Sequence, residues 1–407
     1  MGWAAPFLGD ARSRLSLLMR GTLKNERHGD GPVDRELLAR IRRDYSLSAS
    51  LEQRYGLSVG SFWASYVRKE TGPLAQAMTD FVDNDVALAN VWDRQQGLSD
   101  HPRGVTPGTL RVLMESMRIV EAIGGGSLME QYPVGRVGRP RTFCFEGKVL
   151  TYRWARQLYF LQVFRQTLAR CVPEDLVALD IGGGYGLWAG LLKREFPQST
   201  QVICDIPTML VLAHYYLANT FPGARCLTVS DVASEGELSR ERLRAADFVL
   251  LPSFMADRLA PSSCELVTNF VSFGEMSREY FDYYFKTPVL RTNRFLFTVN
   301  RIRRDNGPVD ERGAVRQVEW TITLLDYPLH DYETIYFGPC GFFRHFYTDP
   351  WYTRVMTRGL DYVLQLVLPR GPIRDAWYRL CAMLPARQLY HQPFFEFAGR
   401  RQDVTGV

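Results

Sequence analysis

The sequence predicts an α/β fold: a doubly wound parallel sheet with a helical N-terminal extension and an irregular, aromatic-rich C-terminal region. Three observations support this prediction. From residue 177 to about residue 303, short apolar runs alternate with helical stretches, a pattern typical of strand–helix–strand units. The runs lack polar alternation, as expected of strands that are buried on both faces. A glycine-rich turn, GGGYG at 182–186, directly follows the first run.

The N-terminal region, residues 1–165, is predicted to be mainly helical and to act as a substrate lid or an oligomerisation surface. Apolar residues recur at helical spacing in PVDRELLARIRRDYSL, GPLAQAMTDFVDNDVALANVW, TPGTLRVLMESMRIVEAIGGG and LTYRWARQLYFLQVFRQTLARC. The third segment ends in a glycine run, which would stop a helix. A basic, flexible loop, YPVGRVGRPRTF at 132–143, separates the third segment from the fourth.

Residues 166–305 are predicted to form the ligand-binding core. Its strands are expected in LVALDI, TQVICD, ADFVLLP, CELVTNF and RFLFTVN, with helical stretches between them. Beyond about residue 303 the alternation stops, although VRQVEWTITLL is compatible with one further strand. We expect residues 306–407 to complete the sheet and the acceptor pocket.

Composition excludes several classes of protein. Of the 407 residues, 46% are hydrophobic and 23% charged, with a net charge of +5 and dispersed arginines, so no nucleic-acid partner is expected. No apolar run approaches the ~20 residues that span a bilayer, and the N-terminus lacks a secretory signal pattern. The seven cysteines are odd in number and widely spaced, which argues against disulfides and zinc. We expect a cytoplasmic protein without a membrane partner, and homo-oligomerisation stays open.

The glycine turn indicates a nucleoside-containing ligand. Glycines between a first strand and its helix let the backbone approach either a dinucleotide or S-adenosylmethionine. The spacing of Gly184, Gly186 and Ala189 formally fits the dinucleotide pattern. Asp180, however, precedes the glycines, where a carboxylate would repel a pyrophosphate and attract the ammonium of S-adenosylmethionine. Attraction and repulsion between near-surface charges ~4 Å apart differ by a few kcal/mol, so charge favours S-adenosyl-L-methionine as the cofactor.

A second acidic residue supports a nucleoside ligand. Asp205 ends the next predicted strand, 25 residues after Asp180, where a carboxylate can accept both ribose hydroxyls. Nicotinamide enzymes share this feature, so it does not identify the nucleoside. An ordinary Rossmann-like domain whose carboxylates cap helices remains the alternative.

Four segments together resemble the sugar O-methyltransferase family. They are LDIGGGYG, CDIP followed by AHYYL, NFVSFGEMSREYFDYYF, and TVNR, and the resemblance spans about 134–301. It implies a Rossmann-like class I methyltransferase fold, S-adenosylmethionine as cofactor and a sugar or glycosylated acceptor in bacterial natural-product or polysaccharide biosynthesis. The family's cofactor motifs fall on Asp180, Gly182, Gly183, Gly184, Gly186, Asp205 and Ile206. The family often carries Glu where this chain has Asp180, and the shorter side chain would then reach the ligand through water.

The family's SFxEM segment supplies the first candidates on the acceptor side. It falls on Ser272, Phe273, Glu275 and Met276. Because the ligand crevice of such a sheet lies outside the carboxyl ends of its strands, Asn269, Ser272 and Phe273 are predicted to contact the substrate. Glu275 is the first candidate to act on the acceptor hydroxyl, as base or anchor. Capping of the helix that starts near residue 277 is its alternative role.

The remaining acceptor-side candidates are less specific. His330 and His345 are candidate general bases if the C-terminal region folds over the crevice, whereas His214 is expected on a helix surface. Arg139, in the basic loop, suits an acceptor that carries phosphate or carboxylate. No pair of acids has ligand spacing on one element, so no required metal is predicted. Two alternatives stay open: an O- or N-methyltransferase of a non-sugar metabolite, and a non-catalytic nucleoside-binding protein.

Overall fold

The computed structural model describes residues 34–56, 107–135, 137, 143–145, 148–306, 320–343, 346–348, 387–389 and 394–402. Arg139, His345 and the predicted helix GPLAQAMTDFVDNDVALANVW lie outside them. Within the described ranges, no helix combines the length and the apolar character needed to cross a bilayer.

Helices and strands alternate through the central part of the chain. The helices are α1 (Arg35–Tyr55), α2 (Pro107–Ala122), α3 (Leu128–Gln131), α4 (Tyr152–Thr167), α5 (Leu187–Glu195), α6 (Pro207–Thr220), α7 (Val229–Val232), α8 (Arg240–Arg244), α9 (Arg278–Lys286) and α10 (Pro288–Thr292). The strands are β1 (Phe143–Phe145), β2 (Lys148–Leu150), β3 (Val177–Ile181), β4 (Thr200–Asp205), β5 (Cys226–Leu227), β6 (Phe248–Pro252), β7 (Leu266–Phe270), β8 (Phe295–Arg301), β9 (Arg303–Asn306), β10 (Trp320–Thr323), β11 (Tyr332–Pro339), β12 (Phe346–Thr348), β13 (Arg387–Leu389) and β14 (Phe394–Arg401). Short 3-10 turns cover Ser253–Arg258, Phe273–Glu275, Leu324–Asp326 and Leu329–Asp331.

The main sheet confirms the predicted α/β fold class. Within the described residues it has eight strands in the order β11-β14-β8-β7-β3-β4-β6-β5. The pairings from β8 to β5 are parallel, and β14 is antiparallel to both of its neighbours. From β3 the chain moves outward through β4 and then returns to β7 on the other side. The order therefore reverses between β3 and β7, where doubly wound sheets place their ligand.

The central strands are mostly apolar because both of their faces are covered. Every residue of β3, β4, β6 and β7 is buried. Strands of this kind show a continuous apolar run instead of an alternating one. This explains why the five strands of the core could be predicted from the sequence.

The C-terminal region contributes two strands to the sheet. β14 pairs with β8 from Phe394–Arg301 to Arg400–Phe295, and β11 pairs along the outer side of β14. The further strand expected in VRQVEWTITLL exists as β10. It pairs with β9 in a separate two-stranded sheet and does not extend the main one.

By its internal contacts the chain divides into two compact units. One takes in the described parts of 90–162 and 342–391, and the other those of 30–89, 163–341 and 392–407. In the first unit, Trp154 Nε1 donates to the carbonyl of Tyr132 at 2.8 Å, and the ring of Phe342 lies 5.6 Å from that of Tyr159. The functional division at residues 165 and 305 stays a prediction.

Helix α1 belongs to the second unit, together with the sheet. Asp34 caps it by accepting from the backbone N–H of Glu36 at 2.9 Å. Its buried Asp44 accepts from Thr228 Oγ1 at 2.9 Å and lies 3.6 Å from His214 Nδ1. His214, expected on a helix surface, is buried on α6, and burial lowers its pKa to about 4. The surface placement was wrong because α1 covers that side of α6.

Candidate functional site

The glycine turn lies at the carboxyl end of β3, beside the point where the strand order reverses. Gly182, Gly184 and Gly186 have φ values of +67°, +60° and +83°. Side chains rarely adopt such left-handed backbone, so the turn requires glycine at these places. A Cβ on Gly182 would fall on Ser272 Oγ, and a Cβ on Gly183 would lie 2.5 Å from Asp180 Oδ2. Ser272 and Asp180 therefore pack closely against the turn.

Asp180 lies beneath this turn and is only 3% exposed. Its Oδ1 accepts from Thr268 Oγ1 at 2.9 Å, whereas its Oδ2 is buried without a hydrogen-bond partner. Burial raises the pKa of Asp180 to about 8, and the charge of Asp205 adds to the rise, while the hydrogen bond from Thr268 opposes it. This carboxyl group therefore keeps its proton to a higher pH than an ordinary aspartate does.

Asp205 holds the other side of the turn. Its Oδ2 accepts from the backbone N–H of Gly184 and its Oδ1 from that of Ile206, both at 2.7 Å. Burial raises its pKa to about 7, against the effect of these two bonds. A carboxylate offers about four lone-pair positions, so each oxygen can accept one further hydrogen bond. Ile206, half-exposed, directly follows at the rim of the sheet.

The two carboxyl groups have no cationic partner among the described residues: no ion pair joins Asp180 or Asp205 to a lysine, arginine or histidine there. Buried carboxylates are normally paired or hydrogen-bonded, because an isolated charge in a protein interior is strongly unfavourable. The turn therefore combines half-buried glycine backbone with two acidic groups that have no cationic partner in this part of the chain.

Asn269 and Ser272 lie where the sequence places them, at the carboxyl end of β7. The Asn269 amide donates to the carbonyl of Ile181 at 2.7 Å and to Ser272 Oγ at 2.5 Å. Its Oδ1 accepts from the backbone N–H of Phe273 at 3.2 Å and from Asn300 Nδ2 at 2.9 Å. Since an amide has two donors and two acceptor positions, Asn269 could contact a substrate only by exchanging one of these bonds.

Glu275 and Phe273 occupy different environments. Glu275 is half-buried in the 3-10 turn that follows β7, on the same rim as the glycine turn. Ser277 makes the cap of α9, accepting from the backbone N–H of Tyr280 at 3.2 Å, and the roles expected of Glu275 stay predictions. Phe273 is fully buried, with its ring 5.8 Å from that of Phe281. Its expected contact with substrate does not follow from this packing.

His330 lies at the other rim of the sheet. It precedes β11, whose first residue, Tyr332, pairs with Arg401 of β14. The preceding residue of β14, Arg400, pairs with Phe295 at the amino end of β8. The glycine turn is at the carboxyl ends. The His330 side chain is 84% exposed and lies 3.3 Å from Asp331. Catalysis by His330 at the glycine turn does not follow from this register.

Sequence reasoning missed three residues of the site: Thr268, Thr298 and Asn300. All three are fully buried polar residues in otherwise apolar strands, LVTNF and FLFTVNR. Polar letters inside a continuous apolar run are the signal that could have identified them, because buried polar groups need partners. Within the described residues, no group of three or more histidine, cysteine, aspartate or glutamate side chains is placed to hold a metal.

No family model and no curated protein matches the chain. Among solved structures, coclaurine N-methyltransferase bound to N-methylheliamine and S-adenosylhomocysteine is similar, with 10% identity, a TM-score of 0.37 and coverage of 90% of this chain and 98% of that one. Phospholethanolamine N-methyltransferase 2 of Haemonchus contortus has 12% identity, a TM-score of 0.30 and coverage of 74% and 61%. Likeness this distant carries no argument about what this chain binds or does.

Proposed function

We propose that the chain is an S-adenosylmethionine-dependent O-methyltransferase that acts on a sugar hydroxyl. The observation that carries the proposal is the pair of buried carboxyl groups at the glycine turn, without a cation among the described residues. S-adenosylmethionine has a sulfonium and an ammonium group, which would supply the missing positive charge. A pyrophosphate would add negative charge beside Asp180 and Asp205.

Asp205 is the residue we propose for the ribose. Its two oxygens already hold the backbone of Gly184 and Ile206, which fixes the carboxylate in one orientation. The remaining lone pairs can accept two adjacent hydroxyl groups. The half-exposed Ile206 would lie against the adenine, and the glycines would leave room for the amino-acid part of the cofactor.

Glu275 is the residue we propose to act on the acceptor. When bound, the cofactor supplies a methyl group on an electron-poor sulfur. The chain must hold the acceptor hydroxyl in line with it, since positioning can lower such a barrier by several kcal/mol. Glu275 follows the strand that carries Asn269, three residues after Ser272, so it would accept the hydroxyl proton from the rim beside the turn.

A sugar acceptor and a role in bacterial natural-product or polysaccharide biosynthesis rest on the resemblance of the SFGEM segment and its neighbours. A small-molecule acceptor belongs to the same proposal. Free thiols stand at Cys171, Cys204, Cys226, Cys264 and Cys340, which supports a cytoplasmic location because thiols stay reduced there.

Calorimetric titration tests the cofactor. The wild-type protein is expected to bind S-adenosylmethionine and S-adenosylhomocysteine and not NAD. Asp205→Asn should weaken binding by about tenfold, as for the loss of one charge-assisted hydrogen bond. Asp247→Asn is the matched control, because Asp247 pairs with Lys193 just before the amino end of β6. Binding of NAD instead would overturn the proposal.

Mass spectrometry tests the acceptor. A gain of one methyl group on a sugar incubated with enzyme and S-adenosylmethionine is expected, and Glu275→Gln should abolish it while keeping cofactor affinity. Methylation of only non-sugar acceptors would retain the methyltransferase and overturn the sugar. Cofactor binding without any methylation across both classes would favour a non-catalytic binding protein.

A further inference from the structure

Asn300 is a fully buried asparagine in β8. This strand pairs with β7, which lies between β8 and β3, the strand that leads into the glycine turn. Its Nδ2 donates to Asn269 Oδ1 at 2.9 Å and to Thr298 Oγ1 at 2.7 Å. Thr298 Oγ1 in turn donates to the backbone carbonyl of Asn269 at 3.0 Å. Both polar groups of β8 are therefore directed at one residue of β7.

These bonds determine which way the Asn269 amide faces. Its Oδ1 accepts from Asn300 and from the N–H of Phe273, so its Nδ2 must face the opposite side. There it donates to the carbonyl of Ile181 and to Ser272 Oγ. If the amide were flipped, Asn269 Oδ1 would face the carbonyl of Ile181, and Nδ2 would face the N–H donors of Asn300 and Phe273.

The two groups held by Asn269 border the start of the glycine turn. Ile181 is the residue before Gly182, and Ser272 Oγ also donates to its carbonyl at 3.1 Å. Ser272 occupies the space that a side chain on Gly182 would need. Val271, which links β7 to Ser272, has φ +67°, a conformation that is unfavourable for a β-branched residue and persists only when its surroundings enforce it.

Asn300 itself is not fully satisfied. Its Oδ1 is buried without a hydrogen-bond partner, and such an atom lowers stability. An apolar side chain of similar size would avoid this loss. The amide at position 300 is therefore explained by its donors and not by packing.

We propose that Asn300 is a positioning residue that sets the conformation of the glycine turn through Asn269, and so tunes the affinity of the turn for its ligand. The identity of that ligand, S-adenosylmethionine, rests on the proposed function. The positioning role concerns the ligand-free protein as well, so the two can be tested separately.

The test compares Asn300→Leu with Asn293→Leu. Asn293 is an equally buried asparagine near the amino end of β8, where it donates to the carbonyl of Phe295 at 2.8 Å and accepts from Tyr332. In the ligand-free proteins, amide hydrogen exchange is measured on the peptide covering 178–190. S-adenosylhomocysteine affinity is measured by calorimetry, and unfolding by denaturant.

Asn300→Leu is expected to speed exchange at 182–186 and to weaken S-adenosylhomocysteine binding by about tenfold, the effect of one lost hydrogen bond. Asn293→Leu is expected to lower stability and leave both readouts unchanged. Unchanged exchange in Asn300→Leu, or equal effects in both variants, would overturn the positioning role. If the wild type binds no S-adenosylhomocysteine, the proposed function fails, and the exchange comparison still decides whether Asn300 positions the glycine turn.

Two further variants guard against misfolding. Thr298→Val removes only the hydroxyl that accepts from the Asn300 amide. A smaller increase in exchange and a smaller loss of S-adenosylhomocysteine affinity are expected. Asn300→Asp can donate to Asn269 only when the new carboxyl group is protonated. Its loss of S-adenosylhomocysteine affinity, relative to the wild type at the same pH, should therefore shrink as the pH falls. A deficit independent of pH in Asn300→Asp, with no change in Thr298→Val, would contradict the proposal.

Discussion

Replacing Gly182 by alanine tests how closely the glycine turn is packed against the strand beside it. The new Cβ would fall on Ser272 Oγ and lie 2.5 Å from Ser272 Cβ. Ser272 cannot simply rotate away, because its hydroxyl is bonded to the carbonyl of Ile181 and to Asn269. The backbone of 271–272 would have to move.

The cost can be estimated from three contributions. Alanine in left-handed backbone costs about 1–2 kcal/mol, and the reduced freedom of the unfolded chain returns about 0.5–1 kcal/mol. Displacing Ser272 sacrifices two hydrogen bonds worth about 1 kcal/mol each. Overpacking adds about 1–3 kcal/mol. We therefore expect the free energy of unfolding to fall by roughly 5 kcal/mol, the sum of these contributions.

Gly223→Ala provides the matched control. Gly223 has φ +84°, and a Cβ there meets nothing within 4 Å, so only the backbone contribution of about 0.5–1 kcal/mol applies. Urea denaturation of the wild type and both variants measures the difference. If Gly182→Ala is destabilised no more than Gly223→Ala, Ser272 does not pack under the turn and the reasoning about this contact is wrong.

Four further outcomes follow from the same site. Gly184→Ala should lose S-adenosylmethionine affinity while costing little more stability than Gly223→Ala, because the nearest atom to its Cβ is Met209 Cε at 3.8 Å; titration and denaturation together check this. Ligand affinity should rise with pH between about 6 and 8, because binding a cation favours ionised carboxylates and burial raises the pKa of Asp180 to about 8 and of Asp205 to about 7. Calorimetry in buffers of different ionisation enthalpy should show proton release, and its absence would contradict the assignment. Since the folded, ligand-free protein binds more protons than the unfolded chain above the ordinary aspartate pKa, its stability should fall as pH rises through this range. Val271→Gly should be more stable than Val271→Ala by about 0.5–1 kcal/mol in urea denaturation, the reverse of the order at an ordinary strand position.

The core of the fold was predictable because the information is local. A strand covered on both faces is a continuous apolar run, and β3, β4, β6, β7 and β8 each leave that mark. The two strands from the C-terminal region were not located. β11 is an edge strand with several exposed positions, and its partner β14 begins more than fifty residues later. Pairing over such a distance leaves no signal in either segment alone.

The site divides in the same way. The glycines and Asp205 could be identified because turn and strand end are contiguous motifs. The partners of Asp180 and Asn269 could not, because Thr268 is 88 residues from Asp180 and Asn300 is 31 from Asn269. His330 was a candidate base on the condition that the C-terminal region folds over the crevice, and strand direction places it at the far rim.

The buried polar residues of β7 and β8 are not scattered along these strands. Thr268 and Thr298 lie at the middle of their strands, Asn269 and Asn300 lie toward the carboxyl ends, and their bonds lead to Asp180, Ile181 and Ser272. Buried polar groups add little net stability even when bonded, so apolar residues would hold the sheet together at least as well. All of these bonds lead to the turn, and they fix the positions of the turn's backbone and acidic groups. A sheet that only needed to fold would have no reason to concentrate these groups at one rim, whereas a sheet that must hold a cationic ligand there would.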